Sequence, residues 1–264
     1  MKQNVYSLDA DIIGLQEVVF GAEQLDELQY PEQTDDIQHQ VRHNLVLEKR
    51  SEGYSAISHS VQLPIFKYNN NPDRNAKLDG NATLLCRQFL GSDLNQIEKE
   101  DCLQMSAFRN AQRIVIRLGQ TARRLHFINT HLHHVIEDEH VRLEQMKSIL
   151  YWVELGLQDD DIVVMVGDLN AIVGSLTYQF ICQQGYTSSF LDVNGFEPKF
   201  TFPTGLQAEF MDTDPPGTFD YIFYKGRGIR PIKSVIKGDQ PSENDQTIYG
   251  SDHMAVVTEF IIQP

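Results

Sequence analysis

Apolar residues along the chain gather into short runs separated by polar, turn-rich stretches. Seven runs read as strands: "DIIGLQE" (11–17), "ATLLCRQF" (82–89), "RIVIRL" (113–118), "LHFINTHL" (125–132), "DIVVMVGD" (161–168), "FDYIFYKG" (219–226) and "AVVTEFII" (255–262). They are short and rich in β-branched and aromatic residues. "IVVMVGD" lacks polar alternation, the pattern of a strand buried on both faces, and "DIIGLQE" reads the same way. In "RIVIRL", Arg113, Val115 and Arg117 alternate with Ile114, Ile116 and Leu118, which predicts a strand with one solvated face. Residues 138–157 place Leu143, Met146, Ile149, Leu150, Val153 and Leu157 at helical spacing. A second helix is expected over 175–184, opening on Ser175 as cap and stopping before Gly185. Residues 23–80 are more polar, with an acidic helix candidate at 34–45 and a turn-rich "KYNNNPDRNAKLDGN". No repeat or composition break divides the chain, so residues 1–264 are expected to form a single α/β domain.

Composition narrows the function. With 41% hydrophobic residues and no apolar run long enough for a membrane span, the pattern is that of a globular protein without a membrane segment. Cys86, Cys102 and Cys182 share no metal-like spacing, which suggests neither a disulfide framework nor a zinc cage. A reducing, intracellular and cytoplasmic setting is expected. The formal charge of −15 argues against gripping long nucleic acid through its phosphates.

Chemistry-bearing residues fall at strand boundaries. Glu17 ends "DIIGLQE", His131 ends "LHFINTH", and Asp168 with Asn170 follows "VVMVG"; Asp220 opens "DYIFY", and Asp252 with His253 stands before the last strand. Any one of them has a local turn reading. Together, carboxylates, an asparagine and two histidines are the parts of metal-assisted phosphoester hydrolysis. Mg²⁺ takes oxygen ligands, which suits Glu17 and Asp252, and a further carboxylate can prepare the attacking water. No "GxxxxGK[ST]", "GxSxG" or "HExxH" string is present.

In order, "DIIGLQEV", "NTHL", "VGDLNA", "FDYIF" and "SDH" resemble the motifs of the endonuclease/exonuclease/phosphatase superfamily, the DNase I-like fold, from residue 9 to residue 261. The resemblance implies a four-layer α/β sandwich: two mixed β-sheets face to face, helices outside, active site at one edge. It implies an Mg²⁺- or Mn²⁺-dependent phosphoric ester hydrolase, with Glu17 and Asp252 at the metal. His131 and Asn170 would contact the phosphate, Asp168 would orient or deprotonate water, and His253 would act with Asp220 as its hydrogen-bonding partner. Asn110 in "RNAQR" matches a further phosphate-contacting position, whereas His133 and His134 match none. The family's opening strand, with its asparagine, has no counterpart in the sixteen residues before Glu17; Asn4 does not sit in such a strand. The domain is therefore expected to be N-terminally incomplete, and marginally stable for that reason.

The segment "TFPTGLQAEFMDTD" looks most like deadenylase-like and uncharacterised eukaryotic members. The expected activity is a 3′-exonuclease or phosphodiesterase on single-stranded RNA or a nucleotide. The alternatives are a weakened DNase I-like domain serving as a binding module, and a phosphoesterase for a lipid or inositol phosphate.

Overall fold

The computed structural model describes residues 9–20, 54–61, 78–90, 95–106, 109–119, 123–206 and 214–263. Asn4, the acidic stretch 34–45 and most of the turn-rich 67–81 lie outside them. The chain forms two compact units, one of residues 11–131 and one of residues 1–10 with 132–264.

In the unit of residues 11–131, β1 (Ile12–Phe20), β2 (Tyr54–Val61) and β3 (Leu78–Cys86) form an antiparallel sheet in the order β1-β3-β2. A single helical turn, α1 (Arg87–Leu90), follows. Strands β4 (Gln96–Ser106), β5 (Arg109–Arg117) and β6 (Arg124–His131) are also antiparallel, with β5 central. The faces meet where β3 lies against β5 and β6. Leu85, Ile114 and Ile116 are fully buried on the strand faces that meet, and Leu84 and Ile128 are buried on the opposite faces.

A polar layer interrupts this core. Thr83 Oγ1 donates to Gln112 Oε1 at 2.8 Å, and Gln112 Nε2 donates to the Asn81 carbonyl at 2.9 Å. Asn129 Nδ2 reaches the carbonyls of Ala82 (3.0 Å) and Leu15 (3.2 Å), while its Oδ1 accepts from Gln16 Nε2 at 2.6 Å. Side-chain amides cross between facing sheets here, and burial is tolerated because donors and acceptors meet.

Two sequence expectations need correction. Arg113 is buried, not solvated, because β4 covers the edge of β5 and sets Asp101 opposite it in register. Arg113 Nε donates to Asp101 Oδ1 at 2.7 Å, so this cation belongs to an ion pair inside the sheet. Likewise β1 is not buried on both faces: of residues 11–17 only Ile13 is buried. Strand β4 was not legible because its "QIEKEDCLQMS" is the charged, alternating sequence of an edge strand.

In the other unit, β7 (Ile162–Asp168), β9 (Asp220–Lys225) and β8 (Thr187–Ser188) are antiparallel in that order. Strands β10 (Ile229–Lys237) and β11 (Ala255–Ile262) pair separately. The helices are α2 (Glu139–Glu154), α3 (Leu176–Gln183) and α4 (Ser189–Asn194), with α2 against α3 and α4 against β10. Every residue of β7 is buried, as its unbroken apolar run requires. Met146, Ile149, Leu150 and Val153 form the buried stripe of α2, and Ser175 caps α3 by accepting from the Tyr178 amide. That stripe also carries two polar residues. Arg142 donates to the carbonyls of His133, Val135 and Ile136, and Gln145 Oε1 accepts from the His133 amide. Both secure the loop that leads into α2. No helix among the described residues is long and apolar enough to cross a membrane.

Burial pushes the Asp101 carboxyl up, but hydrogen bonds and charge from Arg113 and Lys99 outweigh it and hold it below its ordinary 3.8. A depressed carboxyl adds stability above its unfolded value and loses it as pH falls through the folded one. Asp101→Asn should therefore destabilise the protein by about 2 kcal/mol at neutral pH, the scale of a charge-assisted bond. The difference should shrink as pH falls below 3.8. Urea melts of both proteins at pH 7 and pH 3 check this; a constant difference would show that Asp101 does not act through its charge.

Candidate active site

Antiparallel pairing of β7 with β9 makes Asp168 and Asp220 register partners at the strand ends. Two carboxylates directly across a strand pair repel each other. His253 lies between them: its Nδ1 is 2.8 Å from Asp220 Oδ2 and its Nε2 3.9 Å from Asp168 Oδ2. Burial pushes the imidazole's pKa down, but the charge and hydrogen bond of Asp220, then the charges of Asp168 and Asp252, raise it to about 10. At neutral pH His253 is thus an imidazolium, a donor at both nitrogens.

The other Asp168 oxygen, Oδ1, accepts from the Asn170 amide at 2.9 Å. Asn170 takes a left-handed backbone (φ 47°) to close this turn, and its Nδ2 donates to the Leu132 carbonyl at 3.1 Å. One of the two amide hydrogens of Asn170 is committed there, and the amide can offer the second to a ligand. Asp252 keeps its Oδ1 3.2 Å from Ser251 Oγ, while its carbonyl accepts from the Thr204 amide at 2.8 Å.

A segment that carried no assigned role in the sequence holds this group in place. Buried Thr201 accepts at Oγ1 from the amides of Phe219 (3.0 Å) and Asp220 (3.1 Å), and its carbonyl accepts from the Met254 amide at 2.7 Å. It therefore fixes the backbone on either side of the Asp220–His253 bond. The buried Phe202 ring packs 4.9 Å from the imidazole, and Thr204 Oγ1 donates to the Ser251 carbonyl. The readable signal was "KFTFPT", aromatic and threonine residues alternating ahead of a proline.

Glu17 and His131 belong to the other unit and are 3.8 Å apart, Nδ1 to Oε1. His131 is buried at the end of β6. Glu17 sits on a β-bulge, where Leu15 pairs with Ala82 but Val18 pairs with Gly80, leaving one extra residue in β1. The bulge gives Glu17 a φ of 52° and leaves its side chain three-quarters exposed. Asn110 is fully buried and accepts from Asn81 Nδ2 at 2.9 Å, which places its amide inside the polar layer.

Among the described residues, Asp168, Asp220 and His253 bring metal-capable atoms within 4.8 Å of one another. Asp220 is hydrogen-bonded to His253, so this trio is first an ion-pair arrangement of two carboxylates around one imidazolium. Glu17 and Asp252, the expected metal ligands, are oxygen donors suited to a hard divalent cation.

A raised histidine pKa contributes stability that is complete below its unfolded value and lost as pH rises through the folded one. Unfolding free energy should therefore decline between pH 6.5 and about 10. Asp220→Asn should flatten that decline and return the His253 titration towards neutral pH, read by ¹⁵N NMR of the imidazole. A parent His253 titrating near 6.5 would contradict the charge arrangement.

Among curated proteins, none matches the chain in sequence. Solved structures match it in fold. Zebrafish (D. rerio) TDP2 complexed with a single-strand DNA product has 16% identity and a TM-score of 0.64, over 98% of this chain and 89% of that one. The human Nocturnin catalytic domain with bound sulfate has 17% identity and a TM-score of 0.65, over 99% and 84%. The mannosyl-6-phosphatase Bt3783 of Bacteroides thetaiotaomicron has 16% identity and a TM-score of 0.61, over 98% and 88%. These likenesses show the fold, an α/β architecture with two mixed sheets. The profile of the Endonuclease/Exonuclease/phosphatase family matches residues 2–253, and the chain belongs to that family.

Proposed function

We propose that this protein is a divalent-metal-dependent phosphodiesterase that acts as a 3′-exonuclease on RNA or releases a nucleotide from a small phosphodiester. The observation that carries the reading is the division of labour around Asp168. One carboxylate oxygen is fixed by the Asn170 amide, and the other faces an imidazolium 3.9 Å away, beyond direct hydrogen-bond range. Because His253 already holds its proton at neutral pH, it stabilises charge on the phosphoryl oxygens and takes no proton from water. Asp168 is left as the group that orients or deprotonates the water. Asp220 fixes the tautomer and direction of the imidazole, while His131 and the second amide hydrogen of Asn170 serve the phosphate.

Family membership supports Mg²⁺ or Mn²⁺, for which Glu17 and Asp252 are each suitable oxygen donors. When bound, the cation would neutralise negative charge on the phosphate. A single-strand DNA product in one structural neighbour and a sugar phosphatase in another support a substrate with an accessible, unpaired phosphoester. A formal charge of −15 favours a short ligand over a long polyanion.

The test is a panel of oligo(A), mixed RNA, DNA, dinucleotides, sphingomyelin and inositol phosphates, with and without Mg²⁺ or Mn²⁺. RNA or nucleotide diesters should be turned over with metal only, and Asp168→Asn should lower the rate by about 10²–10⁴ with melting unchanged. Calorimetry should show Glu17→Gln weakening cation binding by about tenfold or more, the effect of losing one ligand. Near-parental turnover by Asp168→Asn would rule out this mechanism, and exclusive turnover of a lipid or inositol phosphate would rule out the substrate class.

A further inference from the structure

The residues immediately beyond Asn170 form a surface unlike the polar turns elsewhere on the unit. Ile172, Val173 and Leu176 are 55%, 46% and 59% exposed, three large aliphatics within five residues. The loop that precedes α2 runs alongside, joined at both ends. At one end the Leu132 amide donates to the Asp168 carbonyl and Asn170 Nδ2 donates to the Leu132 carbonyl. At the other, the Thr177 amide donates to Glu139 Oε1 at 2.7 Å. That second loop adds Ile136, 38% exposed, and the exposed imidazole of His134, whose ring centre is 5.5 Å from that of His133. Scattered surface aliphatics need no explanation, but a cluster beside catalytic groups does.

The cluster cannot turn inward. Ser175 N donates to the Ile172 carbonyl around Gly174, whose φ of 80° suits a residue without a side chain. Ala171 is buried, and its carbonyl accepts from the Tyr221 hydroxyl at 2.8 Å. At the far side Arg142 and Gln145 hold the second loop from beneath. The apolar surface is therefore preformed rather than an accident of a loose loop.

Charge decides what fits it. Residues 132–138 and 170–177 contain no lysine or arginine, so nothing on either loop can grip the successive phosphates of a strand. The aliphatic surface begins at Ile172, two residues past Asn170 and four past Asp168. We propose that this aliphatic lip receives the base of the nucleotide whose phosphate is at the reaction centre, so that the protein recognises one nucleotide by its base rather than a strand by its backbone. A base presents a flat, uncharged face to aliphatic and imidazole side chains, which takes apolar area from water without requiring a cation. The proposal rests on the hydrolase reading above and narrows it to substrates with a base next to the scissile phosphate.

Adenosine 5′-monophosphate and ribose 5-phosphate share a sugar phosphate and differ only in the base. Calorimetry in Mg²⁺ should give the parent about tenfold preference for the nucleotide, the scale of burying one side of a ring. In I172S/V173S/L176S that ratio should fall towards one, while Leu155→Ser, at a still more exposed position just after α2, should keep it. The substitutions lie at exposed positions, and melting of each variant confirms that the fold is retained. A parent ratio near one, or a ratio unchanged in the triple variant, overturns the lip while metal-dependent turnover of the panel leaves the hydrolase reading standing. If neither ligand binds and no member of the panel is hydrolysed, the hydrolase reading has failed and the lip falls with it.

Discussion

Strand register places Asp168 opposite Asp220, and this unfavourable pair governs the surroundings of the candidate site. Like charges across a strand pair destabilise a sheet unless something compensates. The compensation comes from His253, whose position far along the chain demands a loop that returns to the strand ends. The contacts of Thr201, Phe202 and Thr204 with the 251–254 segment supply that return. The charge on the imidazole is thus a consequence of the fold, and under the proposed function it leaves a carboxylate as the group that prepares the water.

Legibility in the sequence followed what each residue owes to its neighbours in the chain. Strand β7 could be read because its buried run and the Gly-Asp-Leu-Asn that ends it are local signals. The α3 cap at Ser175 was equally local. Arg113 was misread because alternation shows that a side chain points to one face, not whether another strand's carboxylate waits there. Glu17, Asp168, Asn170, Asp220 and His253 were visible through their motifs, but Thr201 was not. Its work is done through three backbone groups distant in sequence, and such bonds leave no periodicity.

The same distinction explains the polar layer of residues 11–131. Asn129 stands in the run "LHFINTHL", where an amide inside an apolar strand looks like a defect. Its partners, the Leu15 and Ala82 carbonyls and Gln16, come from strands that only the tertiary fold brings near. Cross-sheet amides tie a register in a way that leucines cannot, since each bond has a direction and an apolar contact does not.

Local strain follows that pattern. Two of the three non-glycine residues with left-handed backbones among the described residues are Glu17 and Asn170, both motif residues. Such a conformation costs on the order of 1 kcal/mol or more and persists only where neighbours over-determine it. Around Asn170 the restraints are the Asp168 carboxylate and the Leu132 carbonyl. Beside Glu17 they are the bonds from Asn129 to Leu15 and from Gln16 to Asn129, on the two residues that enter the bulge. In each unit a buried or half-buried amide holds the backbone so that a motif side chain leaves its strand at an angle regular pairing would not allow. Polar groups that seem misplaced in an apolar core can therefore serve to set the backbone beside them.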